Sequence, residues 1–458
     1  MPAYFIDSAL WGDLFSTAEL RAIFDDLAYV QRLLDVEAAL AEAEAELGLI
    51  PAAAAAEIRR KARVENVDLG AIRAEFDRTR HQIMPVVHAL AWACEGGAGE
   101  YVHWGATTQD IVDTATVLQL KDALQVFYRD LREIEAALIR LAETHAATLM
   151  PGRTHGQQAL PVTLGYKFAV WAAEIRRHIQ RLKGAAPRVL VGQLGGAVGT
   201  FASFGPLGPE IRRRMLAKLG LGEPEICWHS ARDRFAEVNC LLGLIAATLY
   251  KVGNEIYQLQ KTEVDELEEP FTPGKVGSST MPHKRNPSLA ENLKAVADKV
   301  RHNAAQALAA ASPEHERDAA AWWAERLTLV ENCLLTGAAL FRTRQLLSGL
   351  TVRPERMARN LRALGDLLLS EAVMLRAAEK LGRQTAHELV YRAAMRAYEG
   401  EGSLKAELLA EPELAALFTE ADLDRLLDPA GYIGLAPEVV TEVVGKLRAA
   451  RAADPETL

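Results

Sequence analysis

The chain has 458 residues, half of them apolar, and a formal net charge of −9. This acidic balance does not indicate a nucleic-acid partner, although one basic pocket for a small anionic substrate is compatible with it. The four cysteines lack metal-type spacing and are expected to be reduced thiols. The N-terminus has no secretory pattern, and no apolar run has the length expected of a membrane span. We therefore expect a cytoplasmic protein without a membrane partner.

Helical patterning dominates the chain. One helix is predicted over Leu20–Leu47, ended by Gly48, and another from Pro51 to about Val64. Five predicted helices in the middle of the chain exceed the usual globular length of about 11–12 residues. They are Asp113–Met150, Pro161–Lys183, Arg234–Glu269, Ser288–Ala311 and Trp322–Leu350. The pattern predicts an all-α fold with a long central helical bundle; short extended pieces are expected only around Arg188–Val191.

Two turn-rich interruptions suggest domain boundaries. They lie at Gly96–Gly99 and at Gly349–Pro354, between segments of helical pattern. We accordingly predict an N-terminal helical domain over residues 1–98, a central bundle over 99–350 and a C-terminal helical domain over 351–458.

Three polar, helix-breaking islands interrupt the central region: His103–Asp110, Gly152–Gln157 and Gly274–Pro287. The first two precede predicted helices, and a helix N-terminus offers unpaired N–H groups that suit an anion. The threonines of these islands, Thr107, Thr108 and Thr154, are also ordinary N-cap residues. Glycines and prolines in the third island argue against a continuing helix.

The third island carries a resemblance to a known family. Its segment Gly277-Ser278-Ser279-Thr280-Met281-Pro282-His283-Lys284-Arg285-Asn286-Pro287 closely resembles the signature of the fumarase/aspartase superfamily. His103–Thr114 and Gly152–Gln157 resemble the other two regions from which that superfamily builds its site. The resemblance implies three helical domains and a homotetramer whose sites take their three regions from three different subunits. It also implies β-elimination from a succinate-like, dicarboxylate-type substrate without a metal or other cofactor.

The resemblance assigns roles to individual residues. Ser278 would be the base that removes a proton next to a carboxylate, and His155 the acid that protonates the leaving group. Lys284 and Asn286 would bind substrate carboxylate, and Glu291 would orient the histidine. Hydrogen bonds to the substrate would come from Ser279, Thr107, Thr108 and Thr154. Without the motif, a solvated turn and a buried, hydrogen-bonded histidine would be the ordinary interpretations.

Two further residues resemble site residues of adenylosuccinate lyases. His81, in Thr79-Arg80-His81, matches a tripeptide whose histidine lies in that site, although a surface or structural histidine is the ordinary alternative. Arg317, in His315-Glu316-Arg317-Asp318, resembles an arginine that binds a carboxylate or phosphate. An ion pair with a neighbouring acid is the structural alternative for Arg317.

The chain combines features of two branches of the superfamily. Tyr101–Asp110, Trp228-His229 and Thr280 look most like carboxymuconate cycloisomerases, whereas Gly152–Gln157 and Thr79–His81 look like adenylosuccinate lyases. The presence of His155 favours a C–N bond over a lactone. Ala319-Ala320-Ala321-Trp322-Trp323 stands where adenylosuccinate lyases place serines for phosphate, and suggests a smaller or more apolar substrate unless the tryptophans are core residues.

The sequence therefore predicts a lyase that cleaves a C–N bond in an N-substituted aspartate, or a related succinyl compound, and releases fumarate. A 3-carboxy-cis,cis-muconate cycloisomerase and an adenylosuccinate lyase are the alternatives. A structural role like that of inactive lens proteins of the superfamily is disfavoured, because Ser278, Lys284, Asn286 and His155 are all present.

Overall fold

The computed structural model describes residues 4–272, 274–400 and 402–458. Within these ranges the chain forms eighteen α-helices and four short strands, which confirms the predicted all-α class. The helices are α1 Ala18–Phe24, α2 Asp26–Glu46, α3 Ala52–Lys61, α4 Leu69–Thr79, α5 Met84–Ala93, α6 Thr108–Thr144, α7 Leu164–Val189, α8 Gly208–Leu219, α9 Asp233–Leu259, α10 Ser288–Ala310, α11 Ala319–Ser348, α12 Pro354–Leu361, α13 Ser370–Leu381, α14 Arg383–Glu399, α15 Leu404–Ala410, α16 Pro412–Ala415, α17 Glu420–Leu426 and α18 Ala436–Ala452. The strands are β1 Leu149–Thr154, β2 Gln157–Thr163, β3 Leu267–Glu268 and β4 Thr351–Val352.

Five long helices, α6, α7, α9, α10 and α11, form the central bundle and alternate in direction. The starts of α6, α9 and α11 meet at one end, where Asp113 accepts hydrogen bonds from Arg232 and from Trp322. We call this the threonine end, because Thr107 and Thr108 lie there. The opposite end holds the β1–β2 hairpin and the segment between α9 and α10, and we call it the serine end.

The interior of the bundle is built from apolar side chains at helical spacing. Fully buried examples, one from each long helix, are Phe127, Phe168, Ile245, Val300 and Leu340. Burial of such a residue contributes about 1.5–3 kcal/mol, so the repeated apolar stripe rather than intrinsic propensity holds these rods together. The bundle thereby gives the two ends fixed positions.

Several predicted boundaries were wrong in informative ways. The predicted Leu20–Leu47 helix is divided at Asp25, whose extended backbone ends α1 and whose side chain accepts the N–H of Ala28 at the start of α2. The predicted Arg234–Glu269 helix ends at Leu259. The predicted extended piece at Arg188 is instead the end of α7, and Val191 alone forms an isolated bridge with Gly222.

The β1–β2 hairpin was not predicted. Met150 was assigned to a helix but lies in β1, where it pairs with Val162 of β2. Prolines at 151 and 161 stand opposite each other in this two-stranded ribbon, where each strand has a free edge that tolerates a missing donor.

Helix α9 is apolar over a longer stretch than the sequence patterns predict. By length and composition alone, α9 could cross a membrane. However, 61% of its most apolar window is buried inside the protein, where α9 contacts α7, α10 and α11. Its apolar character is therefore that of a core helix in a bundle.

The C-terminal part has a second, smaller core. Buried residues of α13 to α17, including Val373, Leu389 and Leu404, form a cluster separate from the main core. In contrast, α18 returns to the bundle and contributes Val440 and Leu447 to the main core. The predicted domain limits at 98 and 350 stay a prediction.

Candidate active site

The ten predicted site residues divide between the two ends of the bundle. The threonine end includes the predicted residues Thr107, Thr108 and Arg317, with His81 on the neighbouring α4–α5 connection. The serine end includes Thr154, His155, Ser278, Ser279, Lys284 and Asn286.

At the threonine end, the predicted threonines open helix α6. Thr107 is the N-cap, and its N–H donates to Asp110 Oδ2 at 3.0 Å; Thr108 is the first helical residue. Both threonines are half-buried, so the start of α6 keeps some access to solvent. The positive end of this 37-residue helix favours an anion at that position.

Arg317 joins the same group. Its Nε donates to Gln109 Oε1 at 3.0 Å and its Nη2 to the carbonyl of Ala197 at 2.8 Å. Within the described residues Arg317 forms no ion pair. The alternative interpretation, in which Arg317 pairs with a neighbouring acidic residue, is therefore not observed. Gln109, which orients Arg317, was missed from the sequence, because its contact partner lies 208 positions away.

His81 lies on the exposed connection between α4 and α5. Its Nδ1 accepts the N–H of Met84 at 3.2 Å, at the start of α5. The adjacent Gln82 donates to Tyr29 Oη at 3.2 Å, and Arg326 donates to the same oxygen at 2.9 Å. None of these contacts joins His81 directly to Thr107 or Arg317.

The two tryptophans after Arg317 differ in environment. Trp322 is buried and donates through Nε1 to Asp113 at 2.8 Å, so core packing explains it. Trp323 is 49% exposed and lines a cavity of about 1120 Å³ together with Tyr4 and Arg326. Arg326 lies over the rings of both tryptophans and was not singled out from the sequence.

At the serine end, His155 lies at the tip of the β1–β2 hairpin. Thr154 pairs with Gln157, which leaves His155 and Gly156 as a two-residue turn with φ values of 53° and 77°. Positive φ at both central positions is typical of the tightest hairpin turns, and it is uncommon for a residue other than glycine. Thr154 and His155 are both exposed, so His155 is not the buried histidine of the ordinary interpretation.

The serine loop is the segment of residues 270–287, of which all except Pro273 are described. The described part has no helix or strand. Its chain approaches itself closely, because a Cβ on Gly277 would lie 2.3 Å from the carbonyl oxygen of Lys284. Next to this contact, Ser278 Oγ accepts the backbone N–H groups of Thr280 at 3.3 Å and Met281 at 3.1 Å. Two such donors would stabilise negative charge on that oxygen.

The polar side chains of the serine loop fall into two kinds. Ser279 and Lys284 are exposed and Asn286 is half-buried; among the described residues Lys284 has no ion-pair partner. Arg285 is instead held by Glu268 at 3.0 Å and lies 4.6 Å from the centre of the Phe271 ring. Lys275 is likewise held, by Glu269 at 2.7 Å. The loop therefore offers two anchored cations, Lys275 and Arg285, and one cation, Lys284, that is open to a ligand.

Acidic residues between α9 and α10 hold the serine end together. Glu266 binds both terminal nitrogens of Arg153, at 3.0 and 2.6 Å, which fixes the hairpin. Glu269 accepts the N–H groups of Leu289 and Ala290 and so closes the start of α10. Glu291 is exposed in the first turn of α10, and its described contacts do not include His155.

The two ends are far apart in one chain. Helix α6 has 37 residues, which at 1.5 Å per residue corresponds to about 55 Å. Thr107 precedes this helix directly, and the hairpin follows its other end after four residues. One copy of the chain therefore cannot bring Ser278 and Arg317 to the same small substrate.

Comparison with known proteins places this long all-α bundle, with its polar loops at both ends, in a class of lyases. The chain matches the family model described as "Lyase" over residues 15–301 and the model described as "Adenylosuccinate lyase C-terminus" over residues 366–443. The chain belongs to this lyase family, in the fumarase/aspartase superfamily, which confirms the predicted family and that the chain is an enzyme.

Relatives come from several branches of the family. The chain is 48% identical to N-acetyl-S-(2-succino)cysteine lyase of Dickeya dadantii (strain 3937), over 97% of this chain and 98% of that protein. It is 42% identical to adenylosuccinate lyase of Methanocaldococcus jannaschii, over 95% of each chain. The crystal structure of 3-carboxy-cis,cis-muconate lactonizing enzyme from Pseudomonas putida superposes with a TM-score of 0.90 at 40% identity, covering 97% of this chain and all of that one.

Proposed function

We propose that this lyase catalyses β-elimination from a succinylated thiol, releasing fumarate and the free thiol. The observation that carries the proposal is the environment of Ser278, whose Oγ accepts two backbone N–H groups in a loop that also carries the open cation of Lys284. The likeness to N-acetyl-S-(2-succino)cysteine lyase supports the choice of substrate class.

The first chemical step is removal of a weakly acidic C–H proton next to a carboxylate. An alkoxide at Ser278 would take this proton, and the backbone donors of Thr280 and Met281 would stabilise the alkoxide. The carboxylate then becomes a dianionic aci-form, for which one well-placed donor contributes about 3–4 kcal/mol. In this proposal, Lys284 and Asn286 of the serine loop supply such donors.

The second carboxylate needs its own binding site. The start of α6, with Thr107, Thr108 and the adjacent Arg317, combines helix N–H groups with a guanidinium. Such a combination suits a carboxylate. Because this group lies at the opposite end of the bundle from Ser278, it would come from another copy of the chain.

The identity of the leaving atom, sulfur or nitrogen, is the most specific part of the proposal. The presence of His155 favours nitrogen as the leaving atom, since an amine leaves only after it is protonated. A thiol, with a pKa of about 8.5, leaves far more readily as the anion. We choose sulfur on the 48% identity to the succinocysteine lyase and on the absence of phosphate-type serines at Ala319–Ala321.

The proposal is tested by offering the purified protein three substrates: N-acetyl-S-(2-succino)cysteine, adenylosuccinate and 3-carboxy-cis,cis-muconate. Fumarate formation is followed by ultraviolet absorbance, and lactone formation by loss of the muconate absorbance. We expect the thioether to have the highest kcat/KM. A higher kcat/KM for adenylosuccinate or for the muconate would assign the chain to that branch instead.

His155 gives a second test of the leaving atom. We expect His155→Gln to lower kcat by about 10²–10⁴-fold on an N-substituted aspartate, because the amine loses its proton donor. The loss on the thioether is expected to be much smaller. Equal losses on both substrates would show that His155 does not act as the acid for the leaving group.

We also propose that the protein works as a cytoplasmic homotetramer with shared sites. The separation of the two ends by about 55 Å supports shared sites. Large apolar side chains on the bundle helices stay exposed in one copy, including Val170, Leu244, Leu308 and Leu327 at 46–74%. Four free thiols fit a reducing compartment. Light scattering of the purified protein should give four times the mass of the chain; a monomer would contradict the assembly.

A further inference from the structure

A second polar cluster lies at the threonine end, outside the predicted site residues. It consists of Asp110 in the first turn of α6 and of Cys227 and His229, which precede α9. A carboxylate oxygen, the thiol sulfur and a ring nitrogen of these three residues lie within 4.8 Å of one another. Asp110 and His229 are buried, whereas Cys227 is half-buried and so keeps access to solvent.

The carboxylate of Asp110 has no lone pair left for a cation. Oδ1 accepts from the N–H of Gly195 at 3.0 Å and from His229 Nε2 at 2.8 Å. Oδ2 accepts from the N–H groups of Thr107 at 3.0 Å and Gly196 at 2.9 Å. Four donors fill the four acceptor positions of an ionised carboxylate, which argues against a metal site and makes Nε2 of His229 a donor.

The other ring nitrogen of His229 lies on the side of the thiol. A Cβ built on Gly199 would be 3.1 Å from Cys227 Sγ and 3.9 Å from His229 Nδ1, so both atoms border the same glycine. Burial opposes a charge on His229, but hydrogen bonding to Asp110 and Cys227 outweighs it and raises its pKa to about 9. The thiol of Cys227 donates to Gln193 Oε1 at 3.5 Å, and the His229 ring lies between this thiol and Asp110. A histidine placed between a carboxylate and a thiol is the arrangement that activates a nucleophilic cysteine.

We propose that Cys227 is a nucleophilic thiol, activated by His229 and Asp110, that forms a covalent adduct with conjugated unsaturated dicarboxylates of the fumarate type. The thiol of Cys227 releases its proton to water, its sulfur adds to one alkene carbon, and the electron pair of the double bond moves to the neighbouring carbon. That carbon takes the proton of the His229 imidazolium, which water restores. The product is a thioether, and the addition needs no oxidant or reductant.

Charge near the thiol explains why the electrophile would carry carboxylates. The loop of residues 195–199 borders Cys227, and the carbonyl of Ala197 in this loop accepts Arg317 Nη2 at 2.8 Å. Gln109 connects the same two groups, since it donates to the carbonyl of His229 and accepts from Arg317. A carboxylate on the adduct would therefore lie near the guanidinium that we assign to substrate binding. The natural source of the electrophile rests on the proposed function, in which fumarate is the product.

The test compares Cys227 with two other cysteines of the same protein. The intact protein is incubated with fumarate itself, and adducts are located by peptide mass mapping over time. Cys94 and Cys240 are the internal controls, because both are half-buried and burial raises the pKa of each, that of Cys94 to about 11. We expect the adduct at Cys227 to form at least ~10-fold faster than at either control, since the thiolate is the reactive form. Equal or slower reaction at Cys227 would overturn the proposal.

Two variants separate this inference from the lyase reaction. In His229→Gln, the rate at Cys227 should fall to that of Cys94; an unchanged rate in this variant would also overturn the proposal. If the variant does not fold, the comparison within the wild-type protein decides. Ser278→Ala should be labelled at Cys227 as fast as the wild type, because fumarate is added directly and turnover is not required. The labelling of Cys227 can therefore be judged even if the lyase assay shows no turnover.

Discussion

At the residue scale, the chemistry depends on the oxygen of Ser278. Replacing it in Ser278→Ala removes the proposed base but no buried group, because the side chain is half-buried in a loop. We expect kcat to fall by about 10²–10⁴-fold, with a melting temperature close to that of the wild type. The matched control is Ser279→Ala, an exposed neighbour, for which a smaller loss is expected. Fumarate release by Ser278→Ala at the wild-type rate would contradict the assignment of the base.

Individual site residues were predictable to different degrees. Ser278, Lys284 and Asn286 stand in one continuous motif, so their neighbourhood in the chain is also their neighbourhood in the fold. Gln109 and Arg326 were missed, because their polar contacts come from helices and loops far apart in the sequence. The sequence does not show which of its polar residues contact one another, since those contacts depend on how the helices pack.

At the element scale, the serine loop owes its shape to Gly277. An alanine there would place its Cβ 2.3 Å from the carbonyl oxygen of Lys284, so one of the two backbone segments would have to move. Since Ser278 and Lys284 flank this contact, we expect Gly277→Ala to lower kcat at least ~10-fold through misplacement of both groups. Gly184→Ala, on helix α7 with open space around it, is the control and should keep full activity. Full activity of Gly277→Ala would show that the close approach is not required.

Helix α2 contains a buried carboxyl whose effect on stability depends on pH. Glu44 is fully buried, and neither of its oxygens has a described hydrogen-bond partner. Burial, with Glu37 nearby, raises its pKa from the ordinary 4.5 to about 9. Between these values the folded chain keeps a proton that the unfolded chain releases. The free energy of unfolding therefore falls as the pH rises through this window.

Glu44→Met should remove this pH-dependent loss in the free energy of unfolding. We expect the variant to have a larger free energy of unfolding than the wild type, by about 1–3 kcal/mol at pH ~8 and by less at pH ~5. Urea unfolding at the two pH values measures the difference. Glu46→Met, on the same helix but with an exposed carboxylate paired to Lys218 and Arg214, should show no such gain. A gain of Glu44→Met that does not grow with pH would contradict the buried neutral carboxyl.

The long helices were predictable because each has a continuous apolar stripe, and the hairpin and the break at Asp25 were not. The apolar pattern runs on across Asp25, and the break comes from one capping side chain that periodicity does not detect. Residues 149–163 carry two prolines and several polar residues, which indicate a helix break but do not distinguish a loop from a two-stranded ribbon. The position of His155 at a hairpin tip follows from that ribbon, and so it also was not predicted.

At the scale of the whole molecule, the antiparallel bundle determines how a site can form. It holds the start of α6 and the serine loop at opposite ends of rods about 55 Å long. No motion of a loop closes such a distance, so the motifs can act on one substrate only when copies of the chain lie side by side in opposite directions. The sequence resemblance implies shared sites, and the geometry of one chain gives a physical reason to expect them.

The most direct test of this account mixes two inactive proteins. Ser278→Ala lacks the proposed base at the serine end, and Arg317→Gln lacks the proposed carboxylate-binding group at the threonine end. The two are unfolded together and refolded, and fumarate release from the thioether substrate is measured against each protein refolded alone. We predict that the mixture recovers part of the wild-type activity, because some sites then take Ser278 from one parent and Arg317 from the other. Mixed assemblies without any gain in activity would contradict a site that is shared between copies.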